Sequence, residues 1–173
     1  MSSSQHYTAE FALPDERATG RLGAALARAI DGAAAAIRAQ GLVIALSGEL
    51  GAGKTSLVRA ALRAFGVTGP IKSPSFALVE PYVVSRLDFY HFDFYRLADP
   101  AEFASAGFRD MFGPSAVCVI EWPENAGPQL PPADLHITLQ VIDEGRHAVL
   151  EAAGELGATC LQRIGKEMGM RAA

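Results

Sequence analysis

The chain has 173 residues, half of them hydrophobic and 20% charged, enough for one ordinary domain with a true core and too few for two. Its formal net charge of -4 weighs against a dedicated nucleic-acid-binding domain, which normally carries a basic surplus. A local patch at Arg59, Arg63 and Lys72 reads equally as a solvated helix face and its following loop.

The first ten residues, "MSSSQHYTAE", lack the basic-then-apolar pattern of a secretory signal, and residues 1–12 are expected to be a flexible N-terminus. Pro14, Asp15 and Glu16 open a helix in which Leu22, Leu26, Ala29 and Ile30 recur at helical spacing. It or a successor runs through an alanine-rich stretch to Gln40 and ends at Gly41. "LVIALS" (42–47) is a short, continuous apolar strand of the kind buried on both faces. A glycine-rich turn follows, then a helix from Lys54 that Gly66 closes. "SFALVEPY" (75–82) reads as a strand ended by Pro81, and "RLDFYHFDFYRL" (86–97) as a second strand that pairs with it antiparallel. Asp99 as N-cap and Pro100 at the first helical position start another helix.

"AVCVIEW" (116–122) is an apolar strand in which Cys118 reads as a small buried thiol. The other cysteine, Cys160, is far away and neither lies in a CxxC pair, so a zinc site or disulfide framework is not expected and a reducing, cytoplasmic setting is. "PENAGPQLPP" (123–132) is a proline-rich loop. "DLHITLQVI" (134–142) and "HAVLEAA" (147–153) form a hairpin across "DEGR", and residues from about 155 to 173 form a terminal helix or tail. No apolar run approaches the about 20 residues of a membrane span. Strand–turn–helix units beside antiparallel pairs predict a single α/β domain, a mixed sheet flanked by helices.

Residues 48–55, "GELGAGKT", match the G-x-x-x-x-G-K-[ST] phosphate loop without a mismatch, between an apolar strand and a helix as that motif requires. Its glycines allow backbone angles that turn several N–H groups inward on a phosphate chain, and the helix adds its positive end. The predicted nucleotide-binding residues are Gly48, Glu49, Leu50, Gly51, Ala52, Gly53, Lys54 and Thr55, with Ser56 behind them. Lys54 would reach the β- and γ-phosphates, and the Thr55 hydroxyl would ligate Mg²⁺. An Asn-Lys-x-Asp guanine reader is absent and Asn125 is the chain's one asparagine, which favours ATP.

Glu121 ends an apolar strand and is the candidate carboxylate for holding Mg²⁺; a surface glutamate at a strand end is the plain alternative. Trp122 follows it, either as core or as a packing element near the nucleotide. Asp93 sits within the aromatic run "FYHFDFYRL" (89–97), where a carboxylate needs a partner. It either pairs with an arginine such as Arg96 or faces the metal or a phosphate-bound water. Strand alternation puts Phe89, His91, Asp93 and Tyr95 on one face and Tyr90, Phe92 and Phe94 on the other. The second, more apolar set is expected in the core, and the first toward the γ-phosphate. Lys54, Asp93 and Glu121 are the candidate catalytic residues.

"GELGAGKT", "SPSFALVEPY" (73–82), "HFDFYRL" (91–97) and "IEWPE" (120–124) occur in the order and spacing of the bacterial TsaE family, also called YjeE, which this sequence resembles from the first helix to about residue 153. The resemblance implies a P-loop fold and an ATPase role in tRNA threonylcarbamoyladenosine synthesis. It further implies action with TsaB and TsaD, the complex attaching a threonylcarbamoyl group to the adenosine beside the anticodon of ANN-decoding tRNAs. ATP hydrolysis would reset that complex between turnovers, with tRNA reached only through it. Matching positions carry over as Lys54 on the phosphates, Thr55 and Glu121 at Mg²⁺, Asp93 as an essential acid and Trp122 near the site. Ser73–Tyr82 matches the family's nucleotide-responsive stretch. Glu49 and Ser75 depart from the Asp and Thr usual there. The competing reading is a small kinase that uses the same loop on a metabolite; the loop at 123–132 could then be a lid, but it carries neither Arg nor Lys.

Overall fold

Seven strands lie side by side in the order β1-β7-β6-β2-β5-β4-β3 in the computed structural model, which describes residues 6–170. In chain order these are β1 (Tyr7–Leu13), β2 (Leu42–Ser47), β3 (Val79–Val84), β4 (Leu87–Asp93), β5 (Ala116–Glu121), β6 (Leu135–Ile142) and β7 (Gly145–Ala152). The centre is parallel, with β2 between β5 and β6 and β4 beside β5. Both flanks are antiparallel, through β3 on β4 and through β1 and β6 on β7. The sheet is therefore mixed, as the alternation of unit types predicts.

Among the described residues five α-helices accompany it: α1 (Glu16–Gly32), α2 (Ala34–Gln40), α3 (Lys54–Ala64), α4 (Pro100–Ser105) and α5 (Gly154–Glu167). Asp15 caps α1 by accepting the Ala18 N–H at 2.8 Å, and Asp99 caps α4 through Ala101 at 2.8 Å. The sheet separates two cores. Leu22, Leu26 and Ile30 of α1, Leu57 and Leu62 of α3, and Leu161 and Ile164 of α5 pack with Ile44, Phe89, Val117 and Val119 on one face. On the other, Phe92, Phe94, Phe103 and Phe108 cluster with Cys118 and Ile120. Burial pushes the Cys118 thiol up to about 12 and that of Cys160 up to about 11.

Four expectations need correction. Residues 7–12 of the segment expected to be flexible belong to β1, because Ala9, Phe11 and Leu13 alternate into the core; residues 1–5 lie outside the described part. Pro81 does not end a strand: β3 continues through it, since an edge strand tolerates a missing N–H. Residues 75–78 form a turn, with Leu78 at φ 69°. Finally, both faces of β4 are core. Phe89 and Phe92 point to opposite sides and both are fully buried, because helices cover one side of a sheet whose other side is covered by the aromatic cluster. The tail is helical as α5; residues 171–173 lie outside the described part.

Candidate functional site

The parallel strands β2, β4 and β5 end at one edge of the sheet, and there the apolar sequences give way to polar side chains. Asp93 and Glu121 end β4 and β5 as register partners. They fall on the same face as Phe89 and Val119, whose side chains pack under the helix layer. One strand face thus serves as core at its start and as site at its end. The loop after β2 leads into α3 above this edge, which is the crevice where open α/β sheets place ligands.

The loop is shaped by glycine. At Gly48, φ is +148° and an added Cβ would stand 2.5 Å from the Leu139 carbonyl, so no side chain fits. Gly53 takes φ +103° immediately before α3. Lys54, 4% exposed, folds back so that Nζ donates to the Gly48 carbonyl and, at 3.0 Å, to that of Glu49. The same ammonium lies 4.2 Å from the centre of the Trp122 ring, a cation–π contact. Burial lowers the Lys54 pKa from its ordinary value, opposed by the negative charges of Glu121, Glu124 and Asp93.

Behind Lys54 the carboxylate of Glu121 is 2% exposed. Thr55 Oγ1 lies 3.0 Å from each of its oxygens, and His91 Nε2 lies 2.6 Å from Oε2. Asp93 is not paired with Arg96. Its Oδ2 accepts the Ser73 hydroxyl, and its Oδ1 accepts the Tyr95 N–H at 2.9 Å. Arg96 instead covers the exposed ring of Phe76, 4.2 Å from its centre. A cavity of about 400 Å³ opens onto Lys54, Thr55, Ser73, Asp93, Glu121 and Trp122. Leu50, Gly51, Ala52, Gly53 and Ser56 also line it, whereas Gly48 and Glu49 serve through their carbonyls. The sequence-predicted residues are thus brought to one place.

Three contacts were not anticipated. Ser73 as the partner of Asp93 joins the 73–82 stretch to the strand end, across 20 residues. His91 bonds Glu121 rather than a reacting group. Arg146, at the start of β7, donates to the Ala52 carbonyl at 2.9 Å and the Gly51 carbonyl at 3.1 Å, bracing the loop from behind. It also lines a second cavity of about 630 Å³, with Asp15, Thr19, Gly53, Ser56 and Arg59, on the other flank of the loop. "DEGR" carries no local sign of this role. Arg59 and Arg63 donate to the carbonyls of Ile71 and Val67 and tie down the loop after α3.

Among the described residues no helix is long and apolar enough to cross a membrane. The fold is similar to that in the crystal structure of YdiB from Bacillus subtilis, with a TM-score of 0.66 over 96% of this chain and 98% of that one at 24% identity. The TsaE protein of Haemophilus influenzae, named for tRNA threonylcarbamoyladenosine biosynthesis, is 43% identical over 67% of this chain and 73% of its own length. Proteins of the same name from Treponema pallidum and Bacillus subtilis are 37% and 34% identical, over 65% and 73% of this chain and 83% and 80% of theirs. The family model described as "Threonylcarbamoyl adenosine biosynthesis protein TsaE" matches residues 13–149, a span that contains the loop, both strand-end acids and the bracing arginine; the chain belongs to the TsaE family.

Proposed function

We propose that this chain is an ATPase whose Mg²⁺-dependent hydrolysis of ATP serves tRNA threonylcarbamoyladenosine formation together with TsaB and TsaD, resetting their complex between turnovers. The observation that carries the reading is the Thr55–Glu121 pair, 3.0 Å apart at the head of α3 and beside Lys54. A hydroxyl next to a buried carboxylate at the mouth of a phosphate loop suits a hard divalent cation. Among the described residues no group of three or more His, Cys, Asp or Glu could hold a metal, which agrees with an ion that takes its remaining ligands from phosphate and water.

In this reading the loop N–H groups and the start of α3 bind the phosphates, and Lys54 supplies charge to the β- and γ-phosphates. Thr55 and Glu121 hold Mg²⁺, which when bound neutralises charge developing on the phosphate oxygens. Asp93 orients the attacking water and accepts its proton. The cavity under Arg146 and Arg59 gives the nucleoside its place beside the loop. The Ser73–Asp93 bond couples the 73–82 stretch to the reacting phosphate, so that stretch is the surface through which TsaB–TsaD would sense the nucleotide. The loop at 123–132 carries neither Arg nor Lys, which speaks for water over a kinase substrate.

The test is steady-state phosphate release by the chain with and without its cognate TsaB–TsaD pair, run beside multi-turnover tRNA modification. Slow release alone and a clear rise with the pair are expected. A pair that neither binds nor stimulates the chain, with modification unaffected by its omission, would overturn the proposal in favour of the small-kinase reading.

A further inference from the structure

His91 is completely buried, yet it occupies a strand position whose neighbour on the same face, Phe89, shows that an apolar side chain fits this layer. An imidazole there loses its hydration, and its Nδ1 has no hydrogen-bond partner among the buried side-chain atoms described. Such a burden needs a compensating contact. It is found at Nε2, 2.6 Å from Glu121 Oε2, an atom that the Thr55 hydroxyl also approaches at 3.0 Å. The ring hydrogen is assigned to Nε2 because that nitrogen faces the carboxylate, which leaves Nδ1 as a bare acceptor rather than a stranded donor. The ring is fixed by the sheet: His91 is the β5 register partner of Val119, one step inward on this face from Asp93 and Glu121.

Resting on the proposed function, we propose that His91 is the positioning residue for the Glu121 carboxylate, holding Oε2 so that the carboxylate plane stays turned toward Thr55 and the divalent cation. A carboxylate at the end of a flexible side chain has a free final torsion. One short bond from a ring that cannot itself move removes that freedom, and outer partners of this kind commonly change metal affinity by about 10- to 100-fold. His91 touches neither nucleotide nor metal in this arrangement; it acts through Glu121.

The experiment compares wild type, His91→Leu and His91→Gln in calorimetric titration with ADP, once with Mg²⁺ and once with EDTA. Leu fills the space without a donor. Gln offers an N–H at nearly the reach of Nε2. The expected result is that His91→Leu loses about tenfold or more of the Mg²⁺-dependent gain in affinity, while its affinity in EDTA stays near wild type and His91→Gln recovers most of the gain. Should His91→Leu not fold, His91→Phe takes its place, the buried ring of Phe89 showing that an aromatic side chain fits this face; the same loss is expected, and its absence would overturn the inference. Equal losses with Mg²⁺ and EDTA, or an unchanged Mg²⁺ response in His91→Leu, would likewise overturn it and leave His91 a core residue. A wild type that binds nucleotide with a Mg²⁺ response supports the nucleotide and metal site on which this rests, whatever the variants do. A wild type that binds none overturns both.

Discussion

The ammonium of Lys54 and the indole of Trp122 face one another at 4.2 Å, so the chain's one tryptophan lies against the residue that defines its phosphate loop. The ring also meets Tyr95, 5.2 Å away between centres, and sits at a left-handed backbone position, φ 57°. Phosphate would draw Lys54 off the indole face. The intrinsic fluorescence of Trp122 should therefore change on addition of ATP or ADP with Mg²⁺ and respond much less to guanine nucleotides. A flat signal, with binding shown independently, would mean that Lys54 keeps its place over the ring.

Lys54→Ala should weaken nucleotide binding by roughly tenfold to a hundredfold, the range that follows from losing one charged hydrogen bond. Isothermal titration measures it. The variant should fold normally, because the wild-type ammonium is disfavoured by burial. A Kd equal to that of wild type would remove Lys54 from the phosphates.

The two acids should separate. Glu121→Gln should abolish most of the Mg²⁺ dependence of binding. Asp93→Asn should leave affinity nearly intact and lower partner-stimulated phosphate release by about a hundredfold or more, as loss of a proton acceptor does. Ser73→Ala removes the donor to Asp93 Oδ2 and should alter turnover without altering affinity. If Asp93→Asn turns over normally in the complete system, its role is confined to anchoring the Ser73 segment.

Asp134 offers a pH test remote from the site, at the start of β6 where it accepts the Val43 N–H at 2.8 Å. Burial raises its pKa above the ordinary 3.8, against the opposing effect of that bond. The fold therefore disfavours the charged form. This penalty is absent below pH 3.8, where folded and unfolded chains are both protonated, and is complete once the pH exceeds the raised folded value. Asp134→Asn keeps an oxygen for Val43 and removes the charge. Its Tm at pH 7 should exceed that of wild type by about 2–4 °C, the effect of a change of order 1 kcal/mol in a domain this size. The gap should close as the pH is lowered toward 4. Calorimetric scans across this range check it, and a gap that widens on acidification contradicts the assignment.

The contrast between Glu121 and Arg146 marks what the sequence could disclose. Glu121 was legible because an apolar run that ends in a carboxylate, in a chain with a phosphate loop, has a specific chemical use. The loop itself, the mixed sheet and the cap at Asp99 were legible for the same reason: each is a local pattern with a local cause. Arg146 contacts the loop from 94 residues away, and nothing around it differs from an ordinary turn. The antiparallel pairing of β3 with β4 was expected, but the bend at Ser85 and Arg86, both at positive φ, lacks the Asn-Gly signal such turns usually show. The N-terminal strand was missed because seven residues of alternation beside a polar leader weigh little until a partner strand is known. For Asp93, charge complementarity pointed at Arg96, while the fold answered with a serine hydroxyl and a backbone N–H.

The pairing of β1 with β7 has a consequence for the order in which the molecule is made. Residues 7–13 are translated long before residues 146–152, their neighbour in the sheet among the described residues. On the ribosome β1 waits for its pairing partner through the synthesis of every strand between them. Arg146 arrives with the same late strand, so the phosphate loop acquires its brace only then. A nascent chain halted before β7 carries every residue of 48–55 and lacks the Arg146 bonds to the Gly51 and Ala52 carbonyls, which ties the shape of the loop to the arrival of β7.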